Sequence, residues 1–569
     1  MNMKPKRTLG FKFGTAAAAS VVVAAMAVGT PVKPAQANVI DYAGAAATVA
    51  INYVAQIAQA AVQFVQYRNE PGNYDYWTSF WTMFFPAGVD KPLSAGSNNW
   101  GDYKLPSIPS QINRAAYFQW QKVTLPLSSG ASCGNGSEYK FFVNLTNASN
   151  NVLIFQQGGG GCVDYGGCAG KKPLKNADGS WKYDAYGNVE EEVYGQIANP
   201  NGISDNFIDG LGNAFNGKTS DGLGWLYSPV LSRFAIMDPN RIKIQDWNVV
   251  VMPYCTGDTF IGDNKAHLVR VDGRQGMIQN FSGTKNVLNT LGWLRDNLPR
   301  PAQVFLTGQS AGSLSVDYHR ATVRKILNPS DSLYTMPDAG FVMAEDPVNK
   351  DLAKFPATLF LSAAKKAWWN YPAANPADAP MAVNTAKEIA GFSATNVSNF
   401  PTLVSNKYPQ DRVSYVAGQS DLNFPGYAYS PTPDFVAAAI ETRDINLKAA
   451  PTHFSPLGNY IRNTWGNELT RLADRVKASG NPNLGYFFPS GRRLNESHTM
   501  TSLTFEGTTN QDTGNSTVQA MNNLIDRSRP PVLREKESDP TRGLYAPLGP
   551  STQAAIVMGG PEILNPPLN

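Results

Sequence analysis

From about residue 115 onward, short apolar and β-branched runs alternate with polar, Gly-rich or helically patterned stretches. Residues 151–155, 247–252, 303–306, 413–416 and 485–488 each read as a strand. A strand covered on both sheet faces leaves a continuous apolar run, not an alternation. Between the second and third runs, Val287, Leu288, Leu291, Leu294 and Leu298 recur at helical spacing. Strands separated by helices predict an α/β fold, with a mostly parallel sheet covered by helices on both faces. In such sheets the chemistry gathers at the carboxyl ends of the strands, and that rule filters the motifs.

Two long segments lack this strand pattern. Residues 163–235 are rich in Gly, Asn and Asp, and residues 350–410 carry helical patterns with Trp368 and Trp369. Both read as lid-like insertions over the active-site face. The pattern also differs upstream. Asn52, Gln56, Gln59, Gln63 and Gln66 form one face of an otherwise apolar helix within residues 42–67, which holds no charge. An amide stripe favours packing on the body or a partner over crossing lipid, with surface association as the alternative. The predicted organisation is a signal at 1–37, an extension at 38–114 and a catalytic domain at 115–569.

The signal reading rests on Lys4, Lys6, Arg7 and Lys12, an apolar run from Ala16 through Val28, and the small-residue site Ala35-Gln36-Ala37. It predicts a secreted or periplasmic protein, and it changes how the charge is read. The whole chain has 48 Lys and Arg against 44 Asp and Glu, a net +4. Residues 1–37 hold five bases, the fifth being Lys33, and no acid, so 43 bases and 44 acids remain after them. The basicity belongs to the leader, and with it goes the case for a nucleic-acid partner. No transmembrane span is expected after the leader is removed. In an oxidising compartment, the four cysteines, Cys133, Cys162, Cys168 and Cys255, favour disulfides over a zinc site, for which no ligand spacing is present. Cys162 and Cys168 stand six apart in a Gly-rich loop and could close a small ring.

G-x-S-x-G occurs twice. Gly130-Ala131-Ser132-Cys133-Gly134 follows no buried strand and leads into an Asn-Gly turn, so it reads as a loop. Gly308-Gln309-Ser310-Ala311-Gly312 follows the 303–306 run and precedes a helical pattern, the strand–turn–helix context of a nucleophile elbow. A serine needs a base. Of the four histidines, His319 lies in the helix after the elbow, His267 precedes it in a loop, and His453 follows no strand. His498 follows the 485–488 strand, late in the chain, where the Ser–acid–His order places the base. Asp421 follows the 413–416 strand and is the expected acid, with Asp338 and Asp346 as rivals. Gly158-Gly159-Gly160-Gly161 follows the 151–155 strand, and Gly159 and Gly160, with Ala311, are the expected oxyanion donors. The Gly run lacks the Lys and Ser/Thr of a phosphate loop. This set predicts acyl transfer with no metal and no organic cofactor. A non-catalytic binding protein on the same scaffold is the rival reading.

Together with these positions, Cys133-Gly134-Asn135-Gly136-Ser137, Phe155-Gln156-Gln157, Asp246-Trp247-Asn248, Pro253-Tyr254-Cys255-Thr256-Gly257-Asp258, Asp338-Ala339-Gly340-Phe341 and Phe488-Pro489-Ser490-Gly491 resemble the pectin acetylesterase family, which includes Notum-type carboxylesterases. The likeness runs from about residue 133 to 501. It implies an α/β-hydrolase fold, a Ser310–Asp421–His498 triad, and hydrolysis of an extracellular ester; the expected substrate is an acetyl ester on a polysaccharide such as pectin, with other esters or polyesters as the alternative. It also implies Cys162–Cys168 and Cys133–Cys255 bridges, and structural or pocket-lining places for Asp258 and Asp338. Relatives commonly carry an acid and an aromatic around the Gly run, where this chain has Gln157 and Gly160-Gly161. Loss of that aromatic is expected to open the pocket.

Overall fold

The computed structural model describes residues 105–546, apart from residues 118, 175, 177–179, 186, 188, 194–196, 209–228, 232–242, 245–246, 271–275, 374–378, 446–452, 494–496 and 503. The segments expected to be a leader at 1–37 and an amide-striped helix at 42–67, and nearly all of the 38–114 extension, lie outside the described residues. Where that extension is described, it packs on the body. Ile108 is buried in the core, and the Trp293 indole and Asn297 amide donate to the carbonyls of Pro109 and Ile108.

Nine strands form one sheet: β1 (Trp120–Leu125), β2 (Tyr139–Asn144), β3 (Val152–Gln156), β6 (Asn248–Met252), β9 (Gln303–Gln309), β10 (Ser332–Asp338), β11 (Arg412–Val416), β12 (Leu484–Phe488) and β13 (Arg534–Lys536). Their spatial order is β1-β2-β6-β3-β9-β10-β11-β12-β13. β2 runs antiparallel to both neighbours, and every pair from β6 to β13 is parallel. Two hairpins stand apart, β4 (Lys171–Pro173) with β5 (Glu191–Val193) and β7 (Asn264–Leu268) with β8 (Met277–Phe281). The helices are α1 (Tyr165–Ala169), α2 (Gly283–Asn297), α3 (Ala311–Leu327), α4 (Thr358–Trp369), α5 (Pro380–Glu388), α6 (Phe400–Lys407), α7 (Phe424–Tyr429), α8 (Pro433–Ile445), α9 (Pro456–Ala478) and α10 (Thr517–Leu524). This is the expected α/β architecture, a mostly parallel sheet with helices between its strands. No described helix is long and apolar enough to cross a membrane.

The five strands read from sequence are β3, β6, β9, β11 and β12. In each, every residue is buried, which is why their runs are continuous. The sheet is wider than those runs indicate. β10, whose sequence is SLYTMPD, is equally buried, but its Ser, Thr and Pro break the apolar pattern. The chain passes from β3 to β6 on one side and later to β9 on the other. The sheet order therefore reverses beside β3, and ligands on such sheets bind at that crevice.

Candidate active site

β9 ends directly in Ser310, and α3 begins at the next residue. Ser310 has φ 53° and ψ −120°, a strained turn for an L-residue. The strain is held from several sides. The Ser310 N–H donates to the Asp338 carbonyl at 2.9 Å. The Ser310 carbonyl accepts the Ser313 N–H and hydroxyl. A Cβ at Gly312 would collide with the Gln156 carbonyl, so only glycine lets α3 pack this close to the end of β3. Ser310 is half-buried at the end of a fully buried strand. Its place at the N-terminus of α3 puts it beside N–H groups, including that of Ala311, that the helix itself cannot satisfy.

The Gly loop sits where the sequence places it, at the end of the neighbouring strand β3. A Cβ on Gly158 would lie 3.0 Å from the Ser310 Cβ and 2.7 Å from the Gln309 carbonyl, so the loop starts against the serine. Gly159 and Gly160 adopt φ 148° and 73°, values that favour glycine. Gln157, at the position where relatives are expected to carry an acid, lies on this loop at the end of β3. Its Oε1 accepts the Tyr254 N–H at 2.9 Å, so an amide oxygen can serve as the acceptor here. Gly161 is not open space. A Cβ there would lie 2.8 Å from the Tyr427 hydroxyl, so an aromatic from α7 fills the region expected to be vacated.

His498 and Asp421 meet across the ends of β12 and β11. His498 Nδ1 lies 2.9 Å from Asp421 Oδ2, and Asp421 is fully buried. The other oxygen of Asp421 accepts the N–H groups of Asn423 and Phe424. Ser497 and Thr499, on either side of His498, both have positive φ, 60° and 57°. That unusual backbone is clamped. Buried Arg492 donates to the carbonyls of Thr499, Ser502 and Thr504. Asp338, at the end of β10, accepts the N–H groups of Met500 and Thr501 and the Thr501 hydroxyl, at 2.8, 2.7 and 2.6 Å. Its carboxyl is pushed up by burial and drawn back by these donors. Asp338 thus ties the histidine loop to the elbow: its carbonyl holds Ser310 and its carboxylate holds the residues after His498. Asp346, the weaker rival acid, accepts the Asn349 N–H on the surface.

The other histidines sit apart from this arrangement or support it. His267 lies on β7. His453 is buried with Nε2 3.5 Å from the Ser497 hydroxyl, a neighbour of the histidine loop that no local pattern announces. His319 is buried in α3 and donates from Nε2 to the Phe260 carbonyl at 2.9 Å. Burial pulls its imidazole down to about 4, whereas an unfolded-chain histidine titrates near pH ~6.5. Between those values the unfolded state binds the extra proton, so this group costs stability as pH falls through that window. His319→Gln, compared with the parent by urea unfolding at about pH 7 and about pH 5, is expected to lose less stability over the interval. Equal losses would contradict a buried neutral His319.

Both implied disulfides are present, Cys133–Cys255 and Cys162–Cys168. The second closes its ring directly after the Gly loop, and the Trp368 indole donates to the Cys162 carbonyl at 2.7 Å. Asp258 is likewise structural. It accepts the Thr256 hydroxyl and the N–H groups of Phe260 and Gly283, the last at the start of α2, and burial raises its carboxyl to about 6. Ser132, of the second G-x-S-x-G, is bonded to Ser282 and Asn286 and stands on no elbow.

Residues 226–366 match the pectinacetylesterase family. The matched stretch includes the elbow, the segment from Tyr254 to Asp258, and Asp338-Ala339-Gly340-Phe341. The resemblance to pectinacetylesterases supports an esterase. No curated protein matches the chain by sequence. Among solved structures, the Wnt deacylase Notum from Drosophila aligns with 15% identity and a TM-score of 0.41, over 73% of this chain and 96% of that one.

Proposed function

We propose that the protein is an exported serine esterase that works through an acyl-enzyme. The observation that carries the reading is the junction of the Ser310 elbow with the buried Asp421–His498 pair, joined through Asp338. Ser310 Oγ attacks the ester carbonyl while His498 takes its proton. With Nδ1 committed to Asp421, Nε2 is the ring nitrogen that exchanges the proton. Asp421 fixes the tautomer and stabilises the imidazolium. The N–H groups of Gly159, Gly160 and Ala311 receive the negative charge that develops on the carbonyl oxygen. The alcohol leaves with the proton from His498. Water, deprotonated by His498, then attacks the acyl-enzyme and frees the acid and Ser310.

The substrate class we favour is an acetyl ester on an extracellular polysaccharide. The family match supports the acetyl ester, and the leader-like pattern of residues 1–37 supports the location. The deciding experiment measures acetate release from acetylated pectin and acetylated xylan, alongside p-nitrophenyl acetate. Release from pectin with kcat/KM above that for xylan is expected. Cleavage of p-nitrophenyl acetate with no release from either polymer would keep the esterase and remove the polysaccharide.

A further inference from the structure

We propose that Tyr427 is a specificity-determining residue, the wall that holds the acyl group of the substrate to short chains; this deepens the esterase reading and rests on it. The Gly loop has no side chains of its own, so whatever bounds the space along it must come from other elements. At its near end Gly158 abuts the Ser310 Cβ, and at its far end Gly161 abuts the Tyr427 ring, with the hydroxyl 2.8 Å and Cζ 3.3 Å from a Cβ placed there. Three residues of fully extended chain reach at most about 11 Å, and the turns at Gly159 and Gly160 shorten that further. A long acyl chain laid along this loop from Ser310 meets the ring.

The ring is braced against swinging away. α7 starts on the Asp421 carboxylate, through the N–H groups of Asn423 and Phe424, so its position is tied to the acid. Phe424 and Tyr429 are buried in the core, whereas Tyr427 is only half-buried. Phe360 of α4 packs edge-on against Tyr427, with centroids 4.7 Å apart, and against Trp368 at 5.9 Å. Trp368 in turn donates to the carbonyl of Cys162, the residue after Gly161. Loop, Tyr427, Phe360 and Trp368 therefore close a circuit, and two aromatic rings from two helices hold the same end of the Gly loop. Rearranging one requires moving all of them.

The test is an acyl-length series of p-nitrophenyl esters, from acetate through butyrate to octanoate, on the full chain with its disulfides intact. The reading is the ratio of kcat/KM for each longer ester to that for acetate, a quantity that does not depend on how much of a variant is folded. Wild type should favour acetate. Tyr427→Ala should raise the butyrate-to-acetate ratio by about tenfold or more, the scale of a methylene or two in a pocket. Tyr427→Phe, which keeps the ring, should retain the wild-type ratio. An unchanged ratio in Tyr427→Ala overturns the wall, as does a wild type that cleaves octanoate as well as acetate; in both cases the esterase reading survives. A wild type that cleaves none of the esters removes that reading and the wall together.

Discussion

Ser310→Ala is expected to lower kcat for p-nitrophenyl acetate by at least ~10³-fold while leaving the fold intact. A loss of that size corresponds to about 4 kcal/mol of transition-state stabilisation. The covalent route disappears with the hydroxyl, and only the oxyanion donors and substrate binding remain to help water. The fold should survive for a local reason. The contacts that hold the elbow are made by the Ser310 N–H and carbonyl, with Asp338 and Ser313, and Ala retains both groups. Alanine also keeps the same Cβ against Gly158. Urea unfolding of the variant should therefore match wild type to within about 1 kcal/mol, because Ser310, although the N-cap of α3, makes no side-chain capping hydrogen bond that Ala would lose. Equal rates for variant and wild type would remove the nucleophile and favour a binding protein on a hydrolase scaffold.

How much of this was legible in the sequence depended on whether a feature is local. β3, β9, β11 and β12 are buried on both faces, so their apolar runs are visible without any knowledge of their neighbours. The elbow is visible because its glycines answer a local crowding, Gly312 against the end of β3. His498 and Asp421 were reached by chain order after strands, and the structure brings them within hydrogen-bonding distance across 77 residues. The bracing was not legible. Asp338 reaches Met500 across 162 residues, Arg492 holds backbone carbonyls whose residue types carry no signal, and Tyr427 of α7 meets a glycine in the distant loop after β3. The edges of the sheet were missed for another reason. β1 is half-exposed along most of its length, and β13 is three polar residues, so neither leaves a buried-strand pattern. The expected opening beside the Gly loop failed similarly: the local sequence shows that an aromatic is absent, but not that α7 supplies one.

Asp421→Asn and Asp338→Asn should separate two buried carboxylates that the sequence offers as alternatives for one role. Asp421→Asn is expected to cut kcat by ~10⁴-fold with little change in KM, because an amide opposite Nδ1 permits the wrong imidazole tautomer and cannot stabilise the imidazolium. Its stability cost should be modest, since the amide oxygen can still accept the Asn423 and Phe424 N–H groups. Asp338 differs in what surrounds it. Its carboxylate takes three donors from Met500 and Thr501, and an Asn side chain offers one acceptor oxygen and a donor that would face other donors. Asp338→Asn should therefore lose about 1–3 kcal/mol of stability, the cost of a buried hydrogen-bonding group left unsatisfied. Its kcat should fall less than that of Asp421→Asn, because the Asp421–His498 contact remains while the loop that carries His498 loosens. The paired measurement is urea unfolding with kcat on p-nitrophenyl acetate for both variants. If Asp338→Asn abolished turnover at full stability while Asp421→Asn kept it, the acid would be Asp338, and the 2.9 Å contact between Asp421 and His498 would be only structural. The expected opposite pattern follows from geometry alone: Asp421 touches the imidazole, whereas Asp338 touches only the backbone of Met500 and Thr501 and the Thr501 hydroxyl on the histidine loop.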